Sequence, residues 1–310
     1  MKNSLVIGTR GSKLALFQAN LVLDKLSLLF PDLSITLKII KTKGDKLLDK
    51  SLSTLLDKGF FTTEIQLALE SEEIDIAVHS LKDLPTELPS KSMLGAILKR
   101  HDHRDVFISN NKKPLKDFSP KDIIGTSSLR RKSQLLAFNS KLTVREIRGN
   151  VDTRIQKMLD GHYDGLVMAA AGVIRLGLEK YITQFLDTDF MLTAPGQAAI
   201  AIEIRQGDTS CLDIVTKIND RNTQICVTTE RDFLHALSGG CHVPFAAHAT
   251  LEDNTICLEA LVGSEDGSEI VKESLKQKYE ANKQLGSEIA DKILAKGGRE
   301  IIKNLSQNLN

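Results

Sequence analysis

Short apolar runs alternate with amphipathic segments over the first two thirds of the chain. Residues 5–7 predict a strand, the leucine pattern from Ser12 to about Phe30 predicts a helix, and residues 35–40 and 74–78 predict further strands. The pattern begins again at residue 123, with strands near 142–147 and 165–169 and helices between them. Alternating strands and helices indicate mainly parallel sheets covered on both faces, so we predict two α/β domains.

The last third of the chain has a different pattern. The segment APGQAAIAIEIR predicts a strand that returns to the first sheet, and residues from 223 onward predict a helix, a meander over 246–275 and one long helix over 281–305. This part is therefore predicted to be α+β. The predicted domains are residues 1–98 with 199–218, residues 99–198, and residues 219–310.

Composition narrows the class of protein. The chain has 310 residues, 41% of them hydrophobic, and a formal net charge of +1, so charge favours neither a disordered chain nor a nucleic-acid-binding protein. The N-terminus reads directly into a strand and has neither a long apolar run nor a cleavage site. We expect a cytoplasmic protein without a membrane span and, because the sequence has no obvious association stripe, a monomer.

Polar residues follow the carboxyl ends of the predicted strands, which is where ligands bind in parallel sheets. The motif HSLKDLP places Lys82 and Asp83 beyond the strand at 74–78, a position suited to acid–base chemistry, although a surface ion pair is the common alternative. TRGSKLAL and GTSSLRRKSQLL both place an arginine beside a hydroxyl residue at a helix start, and IRGNVDTR adds two more arginines. Helix N-termini with guanidinium groups favour anions, whereas the serines alone are equally explained as caps.

One cysteine has unusual surroundings. Cys241 follows two glycines and precedes a proline in LSGGCHVP, which predicts a tight loop. A thiol there is either a reactive group or a small buried hydrophobe. The four cysteines form no CxxC pair, and the histidines near Cys241 match no zinc spacing, so we predict neither a disulfide framework nor a metal site.

Together, the motifs HSLKDLP, IGTSSLRR, IRGNVDTR, YDGLVMAAAGVIRLGL and GGCHVP resemble those of the porphobilinogen deaminases, also called hydroxymethylbilane synthases. They occur in the family's order and span essentially the whole chain. The resemblance implies two domains like type II periplasmic binding proteins around a cleft, and a smaller third domain that carries the cysteine. It also implies the condensation of four porphobilinogen molecules, with loss of ammonia, into linear hydroxymethylbilane.

The resemblance assigns roles to residues of this sequence. It implies a dipyrromethane cofactor joined by a thioether to Cys241, with Asp83 as the catalytic carboxylate. The other implied cofactor-binding residues are Ser80, Lys82, Thr126, Ser127, Ser128, Arg130, Arg131, Arg148 and Gly149. The implied substrate-binding residues are Arg10, Ser12, Arg148, Arg154, Arg175 and Gln197, and the implied lid residues are Lys58 and Phe61.

Three positions depart from the family's usual pattern. Thr54 and Thr63 stand where many members have lysine, and Ala198 stands in a glycine turn usually written GQGA. Two rival functions remain open at this point. One is the capture of a small anion by a two-domain binding protein, and the other is a thiol enzyme that uses Cys241 with His242.

Overall fold

The structure is a computed structural model that describes residues 2–42, 62–237, 243–281 and 283–307. The chain divides into two compact units, one of Met1–His101 with Ala198–Gln224 and the other of Asp102–Gln197 with Ile225–Asn310. Each unit is built around its own sheet or sheets. Among the described residues, no helix is both long enough and apolar enough to cross a membrane.

The strands are β1 (Ser4–Thr9), β2 (Ser34–Ile39), β3 (Ile76–Ser80), β4 (Ser92–Ile97), β5 (Asp105–Ser109), β6 (Ile123–Gly125), β7 (Thr143–Arg145), β8 (Gly165–Ala169), β9 (Ile182–Leu186), β10 (Ile200–Arg205), β11 (Phe245–Glu252), β12 (Thr255–Gly263) and β13 (Ile270–Lys278). The described helices are α1 (Lys13–Leu29), α2 (Thr63–Glu70), α3 (Leu129–Phe138), α4 (Val151–Leu159), α5 (Ala170–Arg175), α6 (Thr209–Val215), α7 (Arg221–Ala236), α8 (Leu285–Ile293) and α9 (Arg299–Gln307).

The first unit contains a five-stranded sheet in the order β2-β1-β3-β10-β4. β1 is parallel to β2 and β3, while β10 is antiparallel to both β3 and β4. The predicted return of the chain to the first sheet is therefore confirmed. Ile7, Val22 and Ile202 lie in the core that joins this sheet to α1, and they are fully buried because these elements turn their apolar faces to one another.

The second unit contains a sheet with an equivalent order, β7-β6-β8-β5-β9. β6 is parallel to β7 and β8, and β5 runs antiparallel to β8 with Asp105 opposite Ala169. The sequence shows no internal repeat, yet in each sheet the fourth strand of the order runs antiparallel to both of its neighbours. The predicted class, two similar α/β parts with a smaller α+β part, is confirmed.

The second unit also contains the antiparallel meander β11-β12-β13, which packs against α7, α8 and α9. Phe233 and Ile289 are fully buried in this core. The helices approach closely at Gly286, where a Cβ would lie 2.2 Å from the backbone nitrogen of Phe233. Only glycine fits such a contact without moving a helix.

Two elements differ from the predictions. The single helix predicted over 281–305 is wrong, because a wider turn over Leu294–Gly298 separates α8 from α9. Gly297 takes φ of +109° there, which a regular helix does not allow. The edge strand β9 was not predicted at all. The three predicted domain boundaries stay a prediction, since the second unit holds both the second sheet and the meander.

Candidate functional site

The predicted anion-binding residues of the second unit lie at one edge of its sheet. β6, β7 and β8 run parallel, so their carboxyl ends meet at that edge. Residues 126–128 lead from β6 into α3, residues 146–150 lead from β7 into α4, and α5 follows β8 directly. The sequence therefore brings Thr126, Arg148 and Arg175 to the same side of one sheet.

The three hydroxyl residues before α3 make local hydrogen bonds. Ser128 is the N-cap, and its Oγ accepts from the backbone N–H of Arg131 at 3.4 Å. Thr126 Oγ1 accepts from the Ser128 backbone N–H at 3.2 Å, and Ser127 Oγ donates to the carbonyl of Ile147. These contacts hold the loop in shape at the positive end of the helix dipole.

Arg130 and Arg131 lie in the first turn of α3 and share one acidic partner, Asp105. The carboxylate is fully buried, and the arginines are only 5% and 7% exposed. Asp105 Oδ2 accepts from Arg130 Nη1 at 2.8 Å, and Oδ1 accepts from Arg131 Nη2 at 2.7 Å and Nε at 3.1 Å. The carbonyl of Leu192 accepts a further hydrogen bond from Arg130, and the carbonyl of Val167 accepts one from Arg131.

Arg130, Arg131 and Asp105 together carry a net charge of +1. Burial alone would raise the pKa of the Asp105 carboxyl, but the two guanidiniums outweigh burial and hold that pKa below its usual range. Burial also lowers the pKa of Arg130, in spite of the attraction of Asp105. Arg130 Nε is buried and has no hydrogen-bond partner among the described residues. A buried cation with an unsatisfied donor favours an anionic group beside it.

The loop after β7 carries Arg148 next to a glycine with positive φ. Gly149 has φ of +115°, and a Cβ at this position would lie 2.9 Å from the side chain of Thr153. The Gly149 carbonyl accepts from Arg154 Nε at 2.7 Å, which fixes Arg154 against the loop. The Arg148 guanidinium forms an ion pair with Glu146, so an incoming carboxylate would compete with that residue.

Arg175 is the last residue of α5 and is half-buried. Burial lowers the pKa of its guanidinium to about 10. Burial thus disfavours the charged guanidinium of Arg175, and a negative charge beside it would offset that effect.

In the first unit, Lys82 and Asp83 are exposed in the short turn Leu81–Asp83 that follows β3. Ser80, the last residue of β3, lies with its Oγ 2.9 Å from Nε2 of the buried Gln18 on α1. The strand end that carries Asp83 is thus fixed to α1 by a buried amide. A carboxylate held on such a turn is accessible to a ligand.

The turn after β1 carries two more predicted residues. Arg10 is half-buried, and Ser12 is the N-cap of α1, with its Oγ accepting from the Ala15 N–H at 3.3 Å. Both stand at the carboxyl end of β1, which is parallel to β3. Within the first unit, Arg10 and Asp83 therefore lie at the same edge of the sheet.

The turn before β10 gives Gln197 and Ala198 specific environments. Gln197 is fully buried, and its Nε2 donates to Asp105 Oδ1 at 3.0 Å and to the His103 carbonyl at 2.8 Å. Its predicted role was substrate binding, and the described contacts place its amide against the arginine cluster instead of leaving it exposed. Ala198 takes φ of +71°, a conformation that favours glycine and explains why glycine is usual at this position.

Sequence analysis missed Asp105 and Gln18. The available signal for Asp105 was a single acid directly before the apolar run VFI, at the end of the charged segment RHDHRD. Gln18 had a weaker signal, a polar residue on the buried face of an amphipathic helix. Neither pattern alone indicates which partner the residue meets.

Cys241, Lys58 and Phe61 lie outside the described residues. The other cysteines lie in regular elements: Cys211 in α6, Cys226 in α7 and Cys257 in β12. The first two are buried and the third is half-buried, and none of the three forms a disulfide with another described residue. Burial raises the pKa of Cys211 to about 11, which suppresses the reactive thiolate. None of these three lies in a tight loop of the kind that the sequence predicts for Cys241.

Comparison with known proteins gives consistent matches along the chain. The family model described as porphobilinogen deaminase, dipyromethane cofactor binding domain, matches residues 5–213, and the model for the C-terminal domain of porphobilinogen deaminase matches residues 224–295. The chain is 44% identical to porphobilinogen deaminase of Chlorobaculum tepidum over 98% of this chain and 99% of that protein. It is 47% identical to porphobilinogen deaminase of Bacillus mycoides, over 96% of each chain.

Among solved structures, the chain is similar to a probable amino-acid ABC transporter extracellular-binding protein of Bacillus subtilis, with a TM-score of 0.39 and 11% identity over 70% of this chain and 90% of that one. The chain is also similar to the BenM effector binding domain with its effector benzoate, with a TM-score of 0.41 and 15% identity over 69% of this chain and 91% of that one.

Proposed function

The chain belongs to the porphobilinogen deaminase family, and we propose that it deaminates porphobilinogen and joins four of the resulting units head to tail into linear hydroxymethylbilane. The observation that carries this proposal is the 44–47% identity to such enzymes over nearly the full length of both chains. The buried arginine cluster of the second unit adds physical support, because the substrate carries two carboxylates.

The residues at this cluster fit the dipyrromethane cofactor of the family. Its pyrroles carry acetate and propionate groups, and the cluster offers one uncompensated positive charge with an unsatisfied donor at Arg130 Nε. We therefore assign Arg130, Arg131 and the loop of Thr126 to its carboxylates. When bound, the cofactor supplies the pyrrole carbon to which the first new unit is joined.

Cys241 is proposed as the residue that holds the cofactor through a thioether. The support is its sequence setting, LSGGCHVP, together with the environments of the other three cysteines, which are all in regular elements. Of these, Cys211 is further disfavoured because its raised pKa keeps the thiol protonated.

Asp83 is proposed as the catalytic carboxylate. Departure of ammonia from porphobilinogen leaves a cationic pyrrole, and a fixed anion beside it lowers the energy of that charge. The same carboxylate can accept a hydrogen bond from the pyrrole N–H and receive a proton lost in the condensation. Its exposure on the turn after β3 leaves it accessible for these contacts.

The remaining predicted residues are proposed to bind the carboxylates of substrate and growing chain. They are Arg10, Ser12, Arg148, Arg154, Arg175 and Gln197, with Ser80, Lys82 and Gly149 shaping the strand ends and Lys58 and Phe61 as part of a lid. For Arg148, a substrate carboxylate would replace Glu146 as partner. For Gln197, the described hydrogen bonds favour an indirect role through Asp105.

The protein is further proposed to act as a monomer in the cytoplasm, without a nucleic-acid partner. The wide spacing of the four cysteines, without a CxxC pair, is consistent with a reducing compartment, and the net charge of +1 gives no field that favours a polyanion. Sedimentation of the purified protein tests the oligomeric state.

One experiment tests the function as a whole. The purified protein should have an intact mass larger than its sequence mass by one dipyrromethane, and it should release ammonia and form hydroxymethylbilane from porphobilinogen. A protein with the unmodified mass that also fails to gain mass with porphobilinogen would contradict the proposal. Binding of porphobilinogen without turnover would favour the capture of a small anion instead.

A further inference from the structure

Asp105 is the centre of the buried arginine cluster. Its two carboxylate oxygens accept four N–H donors: Arg130 Nη1 on Oδ2, and Arg131 Nη2, Arg131 Nε and Gln197 Nε2 on Oδ1. The donor–acceptor distances run from 2.7 to 3.1 Å, and the carboxylate is fully buried. A carboxylate with this many charged donors and no solvent has one permitted orientation.

The fold brings Asp105 to the cluster from a distant part of the chain. It is the first residue of β5, which is antiparallel to β8, so Asp105 lies opposite Ala169 at the edge where β6 and β8 end. α3 begins just beyond β6, which places Arg130 and Arg131 at the same edge.

Two cations in the first turn of a helix are electrostatically unfavourable, because the N-terminal end of the helix dipole is positive. Arg130 and Arg131 also repel each other, and Asp105 is the only ion-pair partner of either one in the described part of the chain. A fixed anion at this position therefore holds both guanidiniums on a common acceptor in the protein interior.

One carboxylate neutralises only one of the two guanidiniums. The cluster keeps a net charge of +1 and a buried donor, Arg130 Nε, without a partner among the described residues. If Asp105 were neutral, the cluster would carry +2 and the arginines would separate. If a second acid were present, no charge would remain for a ligand.

We propose that Asp105 is the positioning residue of the arginine pair: it sets the mutual orientation of Arg130 and Arg131 and leaves one positive charge for a cofactor carboxylate. This inference rests on the proposed function, in which the pair holds the dipyrromethane. Asp105 itself does not touch the substrate. It acts through the two arginines, and Gln197 holds its Oδ1 in place.

The test compares loading of three full-length variants with that of the wild type. Each protein is produced without cofactor in a host that cannot make porphobilinogen, incubated with porphobilinogen, and followed by intact-mass spectrometry. Asp105→Asn removes the charge and keeps the size, whereas Asp105→Glu keeps the charge and moves it by one methylene. Asp122→Asn is the matched control, since Asp122 is also an ion-paired aspartate of the second unit, 2.8 Å from Lys113.

We expect Asp105→Asn to gain the cofactor mass at least about 100-fold more slowly than wild type, because removing one partner of a buried charge pair leaves the guanidiniums uncompensated. Asp105→Glu should load about tenfold faster than Asp105→Asn and about tenfold more slowly than wild type, because the retained charge still pairs the guanidiniums but from a position displaced by one methylene. Asp122→Asn should load like wild type. If the loss of any ion-paired aspartate of the second unit slowed loading, Asp122→Asn would load slowly as well.

Wild-type loading by a folded Asp105→Asn protein would overturn the inference. If Asp105→Asn does not fold, the decision passes to Asp105→Glu: loading at the wild-type rate would overturn the inference, and slowed loading with native circular dichroism would support it. Failure of the proposed function is a separate result, because then the wild-type protein itself gains no mass.

Discussion

The imidazole Nε2 of His79 lies 3.0 Å from a carboxylate oxygen of Glu203, and both side chains are buried in the first unit. The other carboxylate oxygen of Glu203 accepts from Gln66 on α2 and from Ser92 on β4. His79 directly precedes Ser80, so this pair helps to fix the end of β3 from which Asp83 projects. Burial works to raise the pKa of Glu203, but these partners outweigh burial and lower that pKa.

The first prediction concerns stability against pH. A carboxyl with a folded pKa below its unfolded value, about 4.3, stabilises the fold above that pH and loses its contribution as pH falls through the folded pKa. Glu203→Gln should therefore lower the free energy of unfolding by about 1–3 kcal/mol at pH 7. The difference from wild type should shrink between about pH 5 and pH 3.

Urea unfolding at a series of pH values measures this difference. Glu288→Gln is the control, because Glu288 pairs with Lys292 on the exposed face of α8, and its loss should cost no more than about 0.5 kcal/mol. A difference between wild type and Glu203→Gln that does not change with pH would rule out the proposed linkage.

The second prediction concerns the attachment site. Cys241→Ser should fold, lack the cofactor mass and have no turnover, because a hydroxyl is a far weaker nucleophile than a thiolate near neutral pH. Cys257→Ser is the matched control, since Cys257 is half-buried in β12 and should keep both mass and activity. Intact-mass spectrometry decides the point, and retention of the added mass in Cys241→Ser would exclude attachment at that residue.

The third prediction tests the charge of Asp83. Asp83→Asn should keep the fold and the cofactor but lose turnover by about 1,000-fold or more, since it removes electrostatic stabilisation of a developing cation. Asp83→Glu should retain a small activity and accumulate partly elongated enzyme, because the charge is present but displaced.

The chain offers a close control for Asp83. Asp117 ends a second Leu-Lys-Asp turn, Leu115–Asp117, with the same short helical conformation and an exposed carboxylate. Asp117→Asn should form hydroxymethylbilane at the wild-type rate in a steady-state assay. Near-normal turnover of Asp83→Asn would mean that Asp83 is a surface carboxylate without a catalytic role.

The fourth prediction uses the ion pair of Arg148 with Glu146. If a substrate carboxylate replaces Glu146, Arg148→Leu should lower kcat/KM for porphobilinogen by about 10- to 100-fold through loss of a charge-assisted contact. Glu146→Gln should instead improve substrate binding, because it removes the acid that competes for Arg148. We expect KM to fall by only about two- to fivefold, since Glu146 is half-exposed and its ion pair is weak. Lys141→Leu, in the same unit, should change neither constant. An unchanged or higher KM in Glu146→Gln would contradict the competition.

The fifth prediction concerns packing of the β12–β13 hairpin on α3, the helix of the arginine pair. Gly267 and Gly161 both have positive φ, but a Cβ on Gly267 would lie 2.4 Å from the backbone of Ser133 and Ala137, whereas a Cβ on Gly161 meets nothing within 4 Å. Gly267→Ala should therefore cost about 1–3 kcal/mol more than Gly161→Ala. Equal losses in urea unfolding would show that the hairpin moves away from α3 without cost.

Local sequence patterns predicted most elements near the site. The apolar runs before HSLKDLP and GTSSLRR predicted β3 and β6, and the helix predicted to begin at Ser127 matches α3 to within two residues at its start. These signals are local, since a cap or a buried strand depends on a few neighbouring residues. The break between α8 and α9 also had a local signal, the pair Gly297-Gly298, which the predicted long helix did not take into account.

Partners set by strand pairing were not predictable in this way. Asp105 meets Arg131 only because β5 runs antiparallel to β8 in one particular register, and that register appears nowhere in the sequence around either residue. The same is true of Gln18 and Ser80, which belong to α1 and β3. The sequence could thus predict which residues carry charge, but not which of those charges the fold neutralises.

The position of β10 has a consequence for synthesis of the chain on the ribosome. In the described sheet of the first unit, β4 pairs with β10 alone, and β10 ends at Arg205. The strands of the second sheet lie between Asp105 and Leu186, so they have all been translated before β10 begins at Ile200. The first sheet therefore begins to emerge before the second sheet but is completed after it. Until then, β3 and β4 each present an unpaired edge to the crowded cell, the kind of surface on which nascent chains aggregate or recruit chaperones.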